Sequence, residues 1–224
     1  MILCIETSAL NCSVALFDAT GLIDALESHD AQYTHAEKLH VFLDDLLKKN
    51  LLSPSSLQAV AVSSGPGSYT GLRIGVTAAK GLCYALGIPL ISVSTLEALQ
   101  KHLSIDHKFA AFIPMIDARR REVYMQVFDE HAVAQTAVEA RIIDEAYLQA
   151  CAADTVIFGD GAEKFKDIKP PHVTIIDGVF PSASMIGNIA WTKFVQQDFE
   201  NVAYFEPFYL KDFIAGTPKR SVLD

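Results

Sequence analysis

Residues 60–73 read VAVSSGPGSYTGLR, and no other stretch narrows the choice of fold as far. A β-branched run over 59–63 ends in serines, Gly65-Pro66-Gly67 turns the chain, and a helix is expected over 69–86. Gly87-Ile88-Pro89 stops it. Two glycines and a proline at a strand-to-helix junction demand a tight turn with no side-chain bulk above it. The helix start just beyond offers free N–H groups and the positive end of a dipole. Such a junction suits a bound anion, or the close approach of another backbone.

The helix itself is unusual. Gly71, Gly75 and Ala79 recur every fourth residue, with Ala78, Gly81 and Ala85 close by. An interior glycine costs about 1 kcal/mol against alanine, so several need a compensating reason. Leu72, Val76, Cys83 and Leu86 are expected to cover a sheet, and only Arg73 and Lys80 are charged. A helix apolar nearly all round is covered on two sides. The pattern alone leaves open whether the small residues pack inside the domain or against another subunit.

Around this unit the chain reads as two similar halves. Strands are expected at 2–6, 13–18 and 22–27, a helix after Thr34, then the strand–turn–helix unit, a strand at 90–93 and a helix from Thr95. Thr34 and Glu37 have the spacing of a capping box, and Leu39, Phe42, Leu43, Leu46 and Leu47 form an apolar helical stripe. A hydrophilic stretch at 101–108 separates the halves. Strands follow at 109–117, 122–129, 134–142, 155–158 and 173–176, with helices at 144–150 and 182–197. Ile5-Glu6 is followed twelve positions later by Phe17-Asp18, and Ile116-Asp117 twelve positions later by Phe128-Asp129. Three antiparallel strands followed by alternating helices and strands, twice over, is the duplicated ribonuclease-H-like α/β plan of actin, sugar kinases and heat-shock chaperones. The expected units are 1–102 and 109–213, with a loose tail at 214–224. In that plan Glu6 and Asp117 face each other across a cleft. Glu6, Thr7, Ser8, Asp117, Gly159 and Gly161 are then the candidates for a vestigial nucleotide cleft.

Several chemistries are disfavoured by the residues. The glycine turn lacks the Lys-Ser/Thr of a P-loop, the third glycine of a dinucleotide fingerprint and the G-x-S-x-G of a nucleophile elbow. Ser68 reads as a helix cap, not a nucleophile. His35 and His40, five apart on one helix, point about 140° away from each other, which is poor chelation geometry. The remaining histidines are scattered, so no metal site is expected. The four cysteines have irregular spacing and suggest neither a disulfide nor zinc. With 18 Lys plus Arg against 27 Asp plus Glu, the net charge of −9 argues against nucleic acid as a self-sufficient partner. The N-terminus lacks the pattern of a signal peptide and no apolar run is long enough to span a membrane, so a cytoplasmic location is expected. Arg119, Arg120 and Arg121 put three positive charges where a phosphate-binding hairpin is normally small. That argues against a standard ATP site and leaves a basic loop able to meet a partner's carboxylate or RNA.

The combination of IETS at 5–8, SSGPGSYTGLRIG at 63–75 and VST at 93–95 closely resembles the TsaB family. Those bacterial proteins are needed for threonylcarbamoylation of the adenosine beside the anticodon of tRNA. The resemblance continues more weakly through IDARRREVY at 116–124 to EPFYLKD at 206–212, where Lys211 replaces an expected arginine. The family's catalytic sister, TsaD, carries a metal-binding histidine pair at positions that here read Thr95 and Leu99. The resemblance therefore implies a non-catalytic scaffold with no intrinsic cofactor, ATP or ADP being admissible at an interface shared within the complex. It implies pairing with TsaD, help in recruiting the ATPase TsaE, a homodimer when alone, and contact with tRNA only through the complex. It assigns the interface to the helices at about 34–50 and 69–86, here His35, Leu39, Phe42, Leu72, Arg73, Gly75, Val76, Ala79 and Lys80. On that reading a leucine at Gly75 breaks pairing and leaves the monomer folded. The alternatives are a peptidase using Ser68 or a metal, and a weak ATP-binding protein of the sugar-kinase type.

Overall fold

The computed structural model describes residues 1–28, 34–104 and 109–211. The first sheet holds β1 (Ile2–Glu6), β2 (Cys12–Asp18), β3 (Gly21–Ser28), β4 (Ala59–Gly65) and β5 (Leu90–Ser94), in the order β3-β2-β1-β4-β5. β1 runs antiparallel to β2 and parallel to β4. The second sheet holds β6 (Ala111–Asp117), β7 (Glu122–Met125), β8 (Phe128–Asp129), β9 (Glu139–Ile142), β10 (Thr155–Phe158) and β11 (Val173–Ile176). Its order is β11-β10-β6-β7-β9, with β8 also on β6. In both sheets the first strand is central, a hairpin partner lies on one side and parallel strands on the other. This is the duplicated ribonuclease-H-like arrangement. The expected strand at 122–129 is broken after Met125, yet Met115↔Met125 and Phe112↔Phe128 keep one register across the break.

Among the described residues five α-helices join these strands: α1 (His35–Lys49), α2 (Tyr69–Leu86), α3 (Thr95–Ser104), α4 (Glu145–Gln149) and α5 (Ala183–Gln196). α2 begins and ends where its punctuation dictates. Ser68 Oγ accepts the Gly71 N–H at 3.3 Å, and Gly87 closes the helix at φ 65°. The capping box at Thr34 does not form, because the Thr34 side chain makes no capping bond. Its backbone carbonyl instead accepts the N–H groups of Glu37 and Lys38 at 3.1 and 3.0 Å.

α1 and α2 cover one face of the first sheet through Leu39, Leu43, Leu46, Val76, Ala79 and Cys83. The opposite face carries Ile2, Cys4, Ala15, Phe17, Ala61, Ile91 and Val93, and it needs its own cover. α5 supplies it: Ala183, Ile186, Ile189 and Ala190 pack there, and Gly187 meets the Phe17 ring. The chain then runs along the first lobe. Val202 and Phe205 join its core, the Glu200 N–H donates to the Leu90 carbonyl at 2.9 Å, and that of Phe208 to Ser64 at 2.7 Å. The expected unit 109–213 is therefore corrected. Its last helix and the following strap belong to the first lobe. α3 binds the lobes together, with Leu96, Leu99 and Leu103 against Phe112, Ile116 and Phe158. The expected tail at 214–224 and the separator residues 105–108 lie outside the described residues. The four cysteines are free thiols.

Candidate docking face

The glycine turn after β4 is filled by protein. Residues 7–11, the loop that follows β1, lie against it. The Ser68 N–H donates to the Ser8 carbonyl at 2.6 Å, and the Thr7 hydroxyl donates to the Gly71 carbonyl at 2.8 Å. A Cβ at Gly67 would come within 2.7 Å of Ser8 Cβ, one at Gly71 would overlap the Thr7 carbonyl oxygen, and one at Gly75 the Thr7 hydroxyl. Of the two uses that the junction suits, backbone approach is the one realised. On the far side of the loop, His35 Nε2 lies 2.7 Å from the Ala9 carbonyl, and Asn11 Nδ2 donates to Pro181 at 2.9 Å. Burial lowers the His35 pKa, so the ring serves as a neutral strut between α1 and the loop.

This packing settles where the proposed interface residues stand. His35, Leu39, Leu72, Gly75, Val76 and Ala79 are buried within the lobe. Their assignment to a subunit surface is corrected: the small-residue stripe faces inward because the 7–11 loop must pass beneath it. Phe42 and Lys80 are half-buried, and Arg73 is exposed. Lys80 is engaged, donating to the carbonyls of Ala203 and Phe205 at 3.2 and 3.0 Å.

The cleft candidates are likewise closed. Glu6, Thr7 and Ser8 are fully buried, and Gly159 and Gly161 lie beneath the backbone of Met115, Ile116 and Asp117. Only Asp117 is exposed, and Lys164 holds it. Glu6 Oε1 accepts the Ser8 N–H at 2.6 Å and the Ser63 hydroxyl at 2.8 Å, while its Oε2 has no hydrogen-bond partner among the described residues. Burial raises the Glu6 pKa, and the bonds from Ser8 and Ser63 only partly offset this. A native carboxyl that keeps its proton longer than the unfolded chain costs stability as pH rises. The loss begins above the ordinary glutamate value of 4.5 and ends at the raised native value. Glu6→Gln is therefore expected to gain stability relative to the wild type across that window, with a slope approaching about 1.4 kcal/mol per pH unit. Urea unfolding over a pH series measures it, and a constant difference between the two proteins overturns the assignment.

Ser68 is spent on capping α2, and Thr95 and Leu99 are both buried on α3. Among the described residues no three His, Cys, Asp or Glu side chains converge on a metal-sized site.

What remains open is the outer side of α1 and α2. Between them runs a groove of about 580 Å³, lined by Ala36, His40, Arg73, Ile74, Thr77 and Gly81 among others. A second cavity of about 420 Å³ lies between α2 and the strap, and shares Arg73 and Thr77 with the first. Val41, 54% exposed, and Tyr84, 87% exposed, flank this face. Of the residues assigned to an interface from the sequence, Arg73 lines both cavities, and Val76 and Lys80 line the second.

Three comparisons bear on this arrangement. A family model described as TsaD, tRNA N6-adenosine threonylcarbamoyltransferase, matches residues 28–204. The tRNA threonylcarbamoyladenosine biosynthesis protein TsaB of Escherichia coli (strain K12) is 29% identical, covering 96% of this chain and 96% of that one. The TsaB protein of Haemophilus influenzae is 28% identical over 94% of this chain and 93% of its own. Among solved structures, YeaZ from Pseudomonas aeruginosa superposes with a TM-score of 0.76 at 24% identity, covering 93% of this chain and 99% of that one, a likeness of fold.

Proposed function

We propose, because this chain belongs to the TsaD family of tRNA N6-adenosine threonylcarbamoyltransferases, that it is a non-catalytic subunit of the machinery that threonylcarbamoylates the adenosine beside the tRNA anticodon. It pairs with a catalytic TsaD subunit through the outer faces of α1 and α2, and the pair recruits the ATPase TsaE. Alone, it forms a homodimer through the same face, and it works in the cytoplasm. ATP or ADP belongs to the shared interface of the complex.

The observation that carries this reading is the open face itself. Two adjoining cavities share Arg73 and Thr77, with Val41 and Tyr84 exposed beside them. The non-catalytic assignment is supported by Thr95 and Leu99, which stand where the sister carries its histidine pair and are both buried. Ser68 has its hydroxyl in a cap, which gives the peptidase alternative no support.

The test is co-elution with a TsaD subunit, followed by reconstituted tRNA modification. Thr77 is exposed in the groove, so Thr77→Glu is expected to leave the melting temperature unchanged. A charge trapped at a pairing face costs about 2–5 kcal/mol, so pairing should weaken at least tenfold, roughly, with modification falling in parallel. Undiminished pairing by this variant would remove α2 from the interface. Modification that proceeds without the chain would remove the function.

A further inference from the structure

We infer that the turn between β6 and β7 is a docking point for the phosphodiester backbone of RNA, a proposal that rests on the tRNA-modification reading above. The turn reads Asp117-Ala118-Arg119-Arg120-Arg121-Glu122, and all three arginines are exposed. They stand in succession in a chain whose net charge is −9.

The flanking acids are already spent. Asp117 pairs with Lys164 and also accepts the Arg119 N–H at 2.5 Å. Glu122 pairs with Lys211, and its carbonyl accepts from Lys164 at 3.1 Å. Among the described residues no ion pair ties down Arg119, Arg120 or Arg121. The two lysines neutralise the base of the hairpin and leave its tip with an uncompensated charge.

The backbone supplies a second argument. Arg119 and Arg120 have φ of 72° and 56°, in the left-handed region. Hairpins usually give such positions to asparagine or glycine, because a left-handed residue with a Cβ costs about 1–2 kcal/mol. Glycine would make the same turn without that strain. Arginine there is explained by its guanidinium, not by the conformation it adopts. The planar, always-charged guanidinium fork matches phosphate oxygens better than an ammonium does. Three successive residues of a tight turn also suit a line of charges better than they suit one carboxylate. The contact is small, so it adds to RNA binding by an assembly and does not hold RNA alone.

The experiment uses the full chain with its TsaD partner and a fluorescein-labelled, unmodified tRNA transcript. Binding is followed by anisotropy from about 50 to 300 mM salt, because phosphate contacts appear in the salt slope. The variant combines Arg119→Gly, Arg120→Gly and Arg121→Ser. Its slope of log affinity against log salt should fall by about 2 to 3, one contact contributing roughly 0.7–0.9. Affinity at about 100 mM salt should fall at least tenfold, with co-elution retained and the melting temperature equal or higher. An unchanged slope and affinity overturns the proposal. Loss of co-elution with the partner also overturns it, because the hairpin then meets an acidic protein surface. If modification requires the chain but the variant matches the wild type, only this proposal fails. If modification does not require the chain, the functional reading fails and takes the proposal with it.

Discussion

Gly71→Ala destabilises the protein by about 3 kcal/mol or more, while Gly81→Ala on the same helix stabilises it by about 0.5–1 kcal/mol. Gly71 is buried against the 7–11 loop, whereas Gly81, further along α2, is exposed. A methyl at Gly71 would overlap the Thr7 carbonyl oxygen and lie 3.2 Å from His35 Cδ2. The first obstacle is backbone, held in place by the Thr7 and Ser8 hydrogen bonds to α2, so it cannot swing away as a flexible side chain would. At Gly81 nothing lies within 4 Å, and alanine simply removes the entropic handicap of an exposed helical glycine. For a chain of this size about 1 kcal/mol moves the melting temperature by roughly 2–4 °C, so the two variants should be clearly separated. Gly75→Leu belongs with Gly71, because its Cβ would overlap the Thr7 hydroxyl. The expectation that it spares the monomer is withdrawn. A Gly71→Ala protein that melts normally and loses only its partner would falsify the inward assignment of the stripe.

A fragment of residues 1–104 fails to fold, although it contains the whole first sheet. It lacks α5, and so leaves Ile2, Cys4, Ala15, Phe17, Ile91 and Val93 without cover. Ile186 and Ile189 alone are each worth roughly 1.5–3 kcal/mol of burial, with Ala183, Ala190 and the half-buried Trp191 and Phe194 in addition. The total approaches the whole stability of a typical domain, about 5–15 kcal/mol. Circular dichroism and amide NMR of the fragment should show a poorly dispersed, aggregation-prone chain. Joining residues 179–211 to its C-terminus through a flexible linker should restore native dispersion. A cooperative, monomeric 1–104 fragment would restore the simple division into halves.

Local signals in this sequence are strong where geometry is local. Ser68 and Gly87 bracket α2 at its observed ends, and the paired carboxylates twelve residues from Asp18 and Asp129 mark two sheets of the same order. What escaped is decided at long range. The Ala183 N–H donates to Ser13 Oγ across 170 residues, and no local pattern announces which sheet α5 will cover. The stripe on α2 is a similar case. Small residues in register state that something approaches closely, and only the position of the 7–11 loop states what. The open face is built of Thr77, Gly81, Ala36 and Arg73, a composition indistinguishable from ordinary helical surface. Thr34 shows the limit of motif spacing, since its backbone and not its side chain receives the first helical N–H groups.

The return of α5 to the first sheet also orders events in time during synthesis. The strands of the first lobe leave the ribosome early, but the helix that seals their second face is made roughly 90 residues later. At roughly 5–20 residues per second, the apolar side of that sheet stays uncovered for about 5–20 s. The nascent chain therefore presents a holding chaperone with a sticky, half-built lobe until α5 emerges.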